Sequence, residues 1–205
     1  MLLDAQECQL VLMDYQVRLM PAMLDAAAVV ANAARLAQVA GLMQVPVFAT
    51  EQNPSRLGPT VDGLQAALRQ ARARTLSKMQ FSAVEEGLGE WLRPEIQASQ
   101  APQGNARSLP KHLQKPAAAQ RQSIVLAGCE AHICMLQTAL DLVEDEFEVW
   151  VVTDACTSRT ERNRDAAFDR LAGAGVELVT TEMVAYEWLR SAEHPAFKAM
   201  LQLVK

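Results

Sequence analysis

The chain has 205 residues, half of them hydrophobic and 21% charged, with a formal net charge of −5. That composition suits one globular domain with a full hydrophobic core, and it gives no reason to expect nucleic acid or an anionic membrane as a partner. The start, MLLDAQECQLVLMDYQ, lacks a basic region followed by a long apolar stretch, and no segment approaches the roughly 20 apolar residues that span a bilayer, so a cytoplasmic location is expected.

In chain order, QLVLM (9–13) is an apolar run of strand length that ends at Asp14. Pro21 suits the first position of a helix, and an alanine-rich stretch with apolar residues three or four apart continues it to about 43. Residues 46–50 (PVFAT) read as a second strand, 61–72 as a helix and 74–77 as a short third strand before Lys78. A helix is expected over 85–93, stopped by Pro94. Residues 96 to about 122 carry Pro102, Pro110 and Pro116, no acidic side chain, and basic Arg107, Lys111, Lys115 and Arg121. They read as a mobile surface insertion. Regular structure resumes with a strand at 123–127, a helix at 131–144 and a strand at 147–153 ending at Asp154. A helix at 160–172 with Gly173 and Gly175 as stop signals, a strand at 176–179, a helix at 181–189 and a last helix opened by His194 and Pro195 complete the chain. No internal repeat and no second domain are visible.

Strands alternating with helices predict an α/β protein of three layers, αβα, around a doubly wound, mostly parallel sheet. In such sheets ligands bind beyond the carboxyl ends of the strands. Asp14, Glu51, Gln52, Lys78, the stretch 130–134 and Asp154 all follow strands and so fall on one rim.

The stretch GCEAHICMLQT (128–138) is the richest in chemistry. Cys129, His132 and Cys134 are metal-ligating types, but the spacing lacks a paired Cys-x2-Cys cluster and a fourth ligand. Four residues between Cys129 and Cys134 do not match the two of a thioredoxin-like pair. A buried helix in which cysteine is a small apolar residue accounts for Ile133, Leu136, Leu140 and Val143 equally well. A nucleophile is the remaining reading. The first turn of a helix offers free N–H groups and the positive end of its dipole, which lower a thiol pKa and can hold an oxyanion. Such a thiol still needs a base: Asp14 is a rim carboxylate at the end of an expected central strand, and His132, two positions before Cys134, should point to another face. Spacing alone leaves these alternatives open.

Taken together, VLMDYQ, LSKMQFSAV, GCEAHICMLQTALD and VVTDACTSR with the sequence after it resemble the isochorismatase-like cysteine hydrolases. The resemblance is greatest to the branch of isochorismatase domain-containing proteins, where TEQNPSRLGPT also has a counterpart. It covers nearly the whole chain apart from residues 96–122. It implies a six-stranded sheet of order 3-2-1-4-5-6 and a catalytic triad of Asp14, Lys78 and Cys134. It also implies a cis peptide between Cys129 and Glu130 and an oxyanion hole formed by the backbone N–H groups of Glu130 and Cys134. Gln16, Gln52 and Phe81 are candidate substrate-binding residues. No metal and no cofactor are expected, since the segment Ala49-Thr50-Glu51-Gln52-Asn53 lacks the histidine of metal-dependent nicotinamidases. Nothing on the rim spells a dicarboxylate pocket for isochorismate, Arg18 and Arg56 being the only nearby candidates. The expected activity is hydrolysis of a small amide or related C–N bond through a thioester, in a homo-oligomer. The alternatives are a ligand-binding or scaffolding protein without turnover, and a thiol redox protein pairing Cys134 with Cys129 or Cys156.

Overall fold

The computed structural model describes residues 1–93 and 121–204. Six strands form one sheet, all parallel: β1 (Cys8–Met13), β2 (Val47–Gln52), β3 (Arg74–Lys78), β4 (Ser123–Gly128), β5 (Glu148–Val152) and β6 (Glu177–Val179). Their order is β3-β2-β1-β4-β5-β6, as the family resemblance implies. Burial follows position in the sheet. Every residue of β1 and β4, the two central strands, is buried, whereas edge strand β3 exposes Arg74, Thr75 and Ser77. A strand covered on both faces has no need of polar alternation, which is why LVLM and IVLA are unbroken apolar runs.

Helices α1 (Ala26–Leu42), α3 (Asp62–Gln70), α7 (Thr181–Leu189) and α8 (Phe197–Val204) pack together as one outer layer. Short α4 (Leu88–Leu92), α5 (Leu136–Glu144) and α6 (Glu161–Gly173) belong to the other, and the four-residue α2 (Pro54–Leu57) follows β2. Chain order reverses between β1 and β4, so the crevice where such a sheet binds ligands lies beyond Met13 and Gly128.

Three helices depart furthest from their sequence-based limits, each for a local reason, and the last helix, expected to open at His194 and Pro195, begins at Phe197. Pro21 opens a single 3₁₀ turn, Met20–Ala22, and α1 begins only at Ala26. The intervening backbone is pinned elsewhere: Leu24 donates its N–H to Ser158 O at 3.1 Å, and Thr157 Oγ1 donates to Leu24 O at 2.7 Å. The helix expected over 85–93 is broken by Gly87, whose φ of 93° leaves a 3₁₀ turn before it and α4 after it. The helix expected from 131 opens as a π-helical turn, Ala131–Met135, before α5. The insertion at 96–122 lies outside the described residues except for its last two. There Arg121 is held by Ala5 O and Cys8 O, both at 2.7 Å, and Gln122 O accepts from Glu148 N at 3.1 Å.

Candidate active site

Asp14 ends β1 with a φ of 57°, a left-handed conformation that is uncommon for a non-glycine residue. Its backbone N–H donates to Thr50 O on β2, and its side chain is fully buried. Thr50 Oγ1 donates to Asp14 Oδ1 at 2.6 Å. Asp14 Oδ2 faces the Lys78 ammonium at 2.8 Å and accepts no other hydrogen bond among the described residues. Lys78, at the end of β3, is also fully withdrawn from solvent. Its Nζ donates to Gln52 Oε1 at 2.6 Å and Phe81 O at 3.1 Å, with Gln80 O at 3.4 Å. A buried ammonium needs this many acceptors, because an unpaired buried charge costs several kcal/mol. The Lys78 loop is itself clamped: the N–H groups of Met79 and Gln80 both donate to Glu86 Oε1.

Cys134 sits in the π-helical turn, 6% exposed, with its Sγ 3.9 Å from Gln52 Oε1. Burial, the first cause, pushes its thiol up to about 12; the Asp14 charge raises it and Lys78 lowers it, and both also act on it through side-chain hydrogen bonding. Position in a first helical turn leads one to expect a lowered thiol pKa. Burial and the carboxylate together outweigh the ammonium, so the resting group is a protonated thiol beside a carboxylate.

The turn carrying Cys134 is fixed by β4. Gly128 lies opposite Met13 in register, and a Cβ there would come within 2.5 Å of Met13 Cβ and 2.7 Å of its carbonyl oxygen. Only glycine lets the two strand ends approach this closely. The Cys129–Glu130 peptide is cis. The backbone N–H of Glu130 has no acceptor among the described residues, whereas its neighbours do: Cys129 N donates to Met13 O and Ala131 N to Thr157 O.

The structure thus brings Asp14, Lys78, Cys134 and Gln52 together. Phe81 joins them through its carbonyl, while its ring is half exposed. Gln16 is fully buried and stands behind Gln52: its Oε1 accepts from Gln52 N, and its Nε2 donates to Gln52 O and Gly58 O. His132 bridges Ser158 Oγ at 2.9 Å and Asn163 Nδ2 at 3.3 Å. Cys129 and Cys156 are buried thiols, both raised chiefly by burial, which makes them poor resolving partners for a redox cycle. Among the described residues, no group of three or more His, Cys, Asp or Glu is placed to hold a metal ion. Thr50 is the site residue that the sequence reading missed. Parallel pairing sets it opposite Met13, one place before the aspartate, which was the available signal.

An all-parallel sheet of this order, with a thiol and charged side chains gathered at its switch point, defines the isochorismatase-like hydrolase fold. Solved structures agree. A Caenorhabditis elegans protein described as MAR1 ribonuclease superposes with a TM-score of 0.83 at 26% identity, over all of this chain and 92% of that one. The Escherichia coli YcaC protein, described as an octameric hydrolase of unknown specificity, gives 0.80 at 24% identity, over 98% and 88%. The chain belongs to the isochorismatase family: the isochorismatase domain model matches residues 106–183, and rat isochorismatase domain-containing protein 2 is 36% identical over 96% of this chain and 80% of its own length.

Proposed function

We propose that the protein is a cysteine-dependent hydrolase that cleaves a small amide or related C–N bond through a thioester on Cys134. The observation that carries this reading is Asp14 Oδ2, a buried carboxylate oxygen that among the described residues faces only the Lys78 ammonium, beside a Cys134 thiol that burial and the Asp14 charge both push up. A thiol with a pKa near 12 is not a nucleophile at neutral pH without a base, and Asp14 is that base.

As Cys134 sulfur attacks the substrate carbonyl, its proton passes to Asp14. The carbonyl oxygen becomes an oxyanion and takes hydrogen bonds from the N–H groups of Glu130 and Cys134. Collapse breaks the C–N bond, and the leaving amine takes the proton from Asp14. Asp14 then draws a proton from water as the water attacks the thioester, and that proton returns to sulfur when the acid product leaves. Lys78 keeps its position through both half-reactions and balances whichever of Asp14 or Cys134 is negative. Gln52 and the half-exposed Phe81 ring form the substrate wall, with Gln16 bracing Gln52. The protein is proposed to assemble as a homo-oligomer, in keeping with the octameric E. coli relative.

A screen of small amides and carbamoyl compounds tests the reading. Turnover of any hit is expected to fall at least about 1,000-fold in Cys134→Ala and in Asp14→Asn, since each removes a member of a unit that acts together. Activity that survives Cys134→Ala places the chemistry elsewhere.

A further inference from the structure

Two charged side chains beside the site have no part in the steps above, the carboxylate of Glu130 and the guanidinium of Arg159. They meet. Arg159 Nε lies 2.8 Å from Glu130 Oε2, and the Arg159 backbone N–H approaches the same oxygen at 3.4 Å. The Glu130 side chain is 9% exposed and that of Arg159 57%. A carboxylate this withdrawn from water needs a cation and hydrogen-bond donors. It is also only a few covalent bonds from its own amide N–H, the group assigned to the oxyanion. A bare negative charge there opposes the charge that develops during attack.

The surrounding backbone shows what the pair is fastened to. Residues 128–131 lie along 157–159: Cys129 bridges Thr157 in parallel, Ala131 N donates to Thr157 O at 2.8 Å, and Thr157 N approaches Gly128 O at 3.4 Å. Thr157 and Ser158 are in turn bonded to Leu24, in the loop that follows Asp14. The Glu130–Arg159 pair closes the far end of this seam.

We propose that Glu130 and Arg159 form a latch that aims the Glu130 N–H at the oxyanion and cancels the carboxylate charge beside it. Both side chains are then positioning residues for acylation, and the inference rests on the cysteine-hydrolase reading above. Removing Arg159 alone leaves an uncompensated negative charge next to the oxyanion donor. Removing both charges takes that penalty away.

Two probes separate this from a general structural role. With p-nitrophenyl acetate, Cys134 sulfur displaces p-nitrophenolate to form S-acetylcysteine, its proton passing to Asp14, through an oxyanion that the hole must hold. With iodoacetamide, the thiol first loses its proton to solvent, the sulfur displaces iodide, and no oxyanion forms. Arg159→Ala is expected to slow the nitrophenol burst about tenfold or more while changing alkylation at the same pH by less than about threefold. Glu130→Gln combined with Arg159→Ala is expected to acylate at least about threefold faster than Arg159→Ala alone. The latch is overturned if Arg159→Ala acylates like the wild type, if acylation and alkylation fall together, or if the double variant is no faster. A wild type with no burst that depends on Cys134 overturns the nucleophile and the latch together. A burst that Cys134→Ala abolishes and Arg159→Ala leaves alone defeats the latch only.

Discussion

Cys134 and Asp14 are each unremarkable side chains whose surroundings set their chemistry against one another. The thiol is pushed up to about 12 by burial first and by the aspartate second, with Lys78 pulling the other way. Asp14→Asn removes the raising charge and leaves the ammonium in place. Alkylation of Cys134 by iodoacetamide runs through the free thiolate and needs no base at the site, so its profile should shift to lower pH by about one unit, an increase of about tenfold in rate at a fixed pH below the midpoint. Turnover should be lost in the same variant because the base is gone. Lys78→Ala should move the profile the opposite way. An Asp14→Asn profile that stays put, read by peptide mass mapping, denies that the two groups are coupled. At this scale the sequence revealed identities more than states. That Asp14, Lys78 and Cys134 come together was legible, because each follows a strand and lies in a segment that resembles the family. The sign of the thiol shift was not, because it depends on how deeply the turn is buried and on which carboxylate faces it. Nor was the role of Gln16, whose amide is spent on backbone groups of 52 and 58, partners more than thirty residues away.

Among the elements, β1 and β4 carry the site, and their close approach depends on Gly128. Gly128→Ala puts a methyl group into the Met13 backbone, so the strand ends must separate. The expected cost is about 1–3 kcal/mol in urea unfolding, as for other overpacked core positions. The variant should also lose acylation, because Cys129 and Glu130 follow directly on the displaced end. A Gly128→Ala protein with wild-type stability and activity contradicts the tight packing. Strands were read well from sequence because apolar runs of strand length bounded by turns leave little choice in a parallel sheet. Helix starts were read less well. Pro21 is a good first helical residue, yet Leu24 is held by Thr157 and Ser158, and α1 cannot start until that segment is passed. Gly87 was an available signal for the break before α4, but only its φ of 93° shows that it stops one helix and caps the next. The π-helical turn under Cys134 has no sequence signature of its own.

For the whole molecule, the four cysteines predict an alkaline limit to stability. In the folded chain the thiols are raised from an ordinary 9.0, to about 11 at Cys8, to about 12 at Cys134 and Cys156, and well above 9.0 at Cys129, burial being the main cause each time. Above pH 9 the unfolded chain has released protons that the folded chain still holds. Folding stability must then fall as pH rises, over the window from about 9 to about 12. Each thiol contributes a slope of up to about 1.4 kcal/mol per pH unit there. Denaturation midpoints taken under reducing conditions should drop steeply above pH 9, and Cys156→Ala should show a shallower drop than the wild type. Equal slopes in the two proteins contradict the burial of that thiol. The doubly wound architecture was legible as a whole from the alternation of strands and helices, and strand order came with the family resemblance rather than from any local pattern.

Cys134 is proposed to take the acyl group. The most direct measurement is an acid quench of the protein with a turned-over amide, followed by intact mass and peptide mapping. The expected result is a mass increase equal to the acyl group less the thiol hydrogen, located on the peptide carrying Cys134, present in wild type and absent in Cys134→Ala and Asp14→Asn. Turnover at full rate with no acyl adduct on that peptide, or an adduct on Cys8, Cys129 or Cys156 instead, contradicts it.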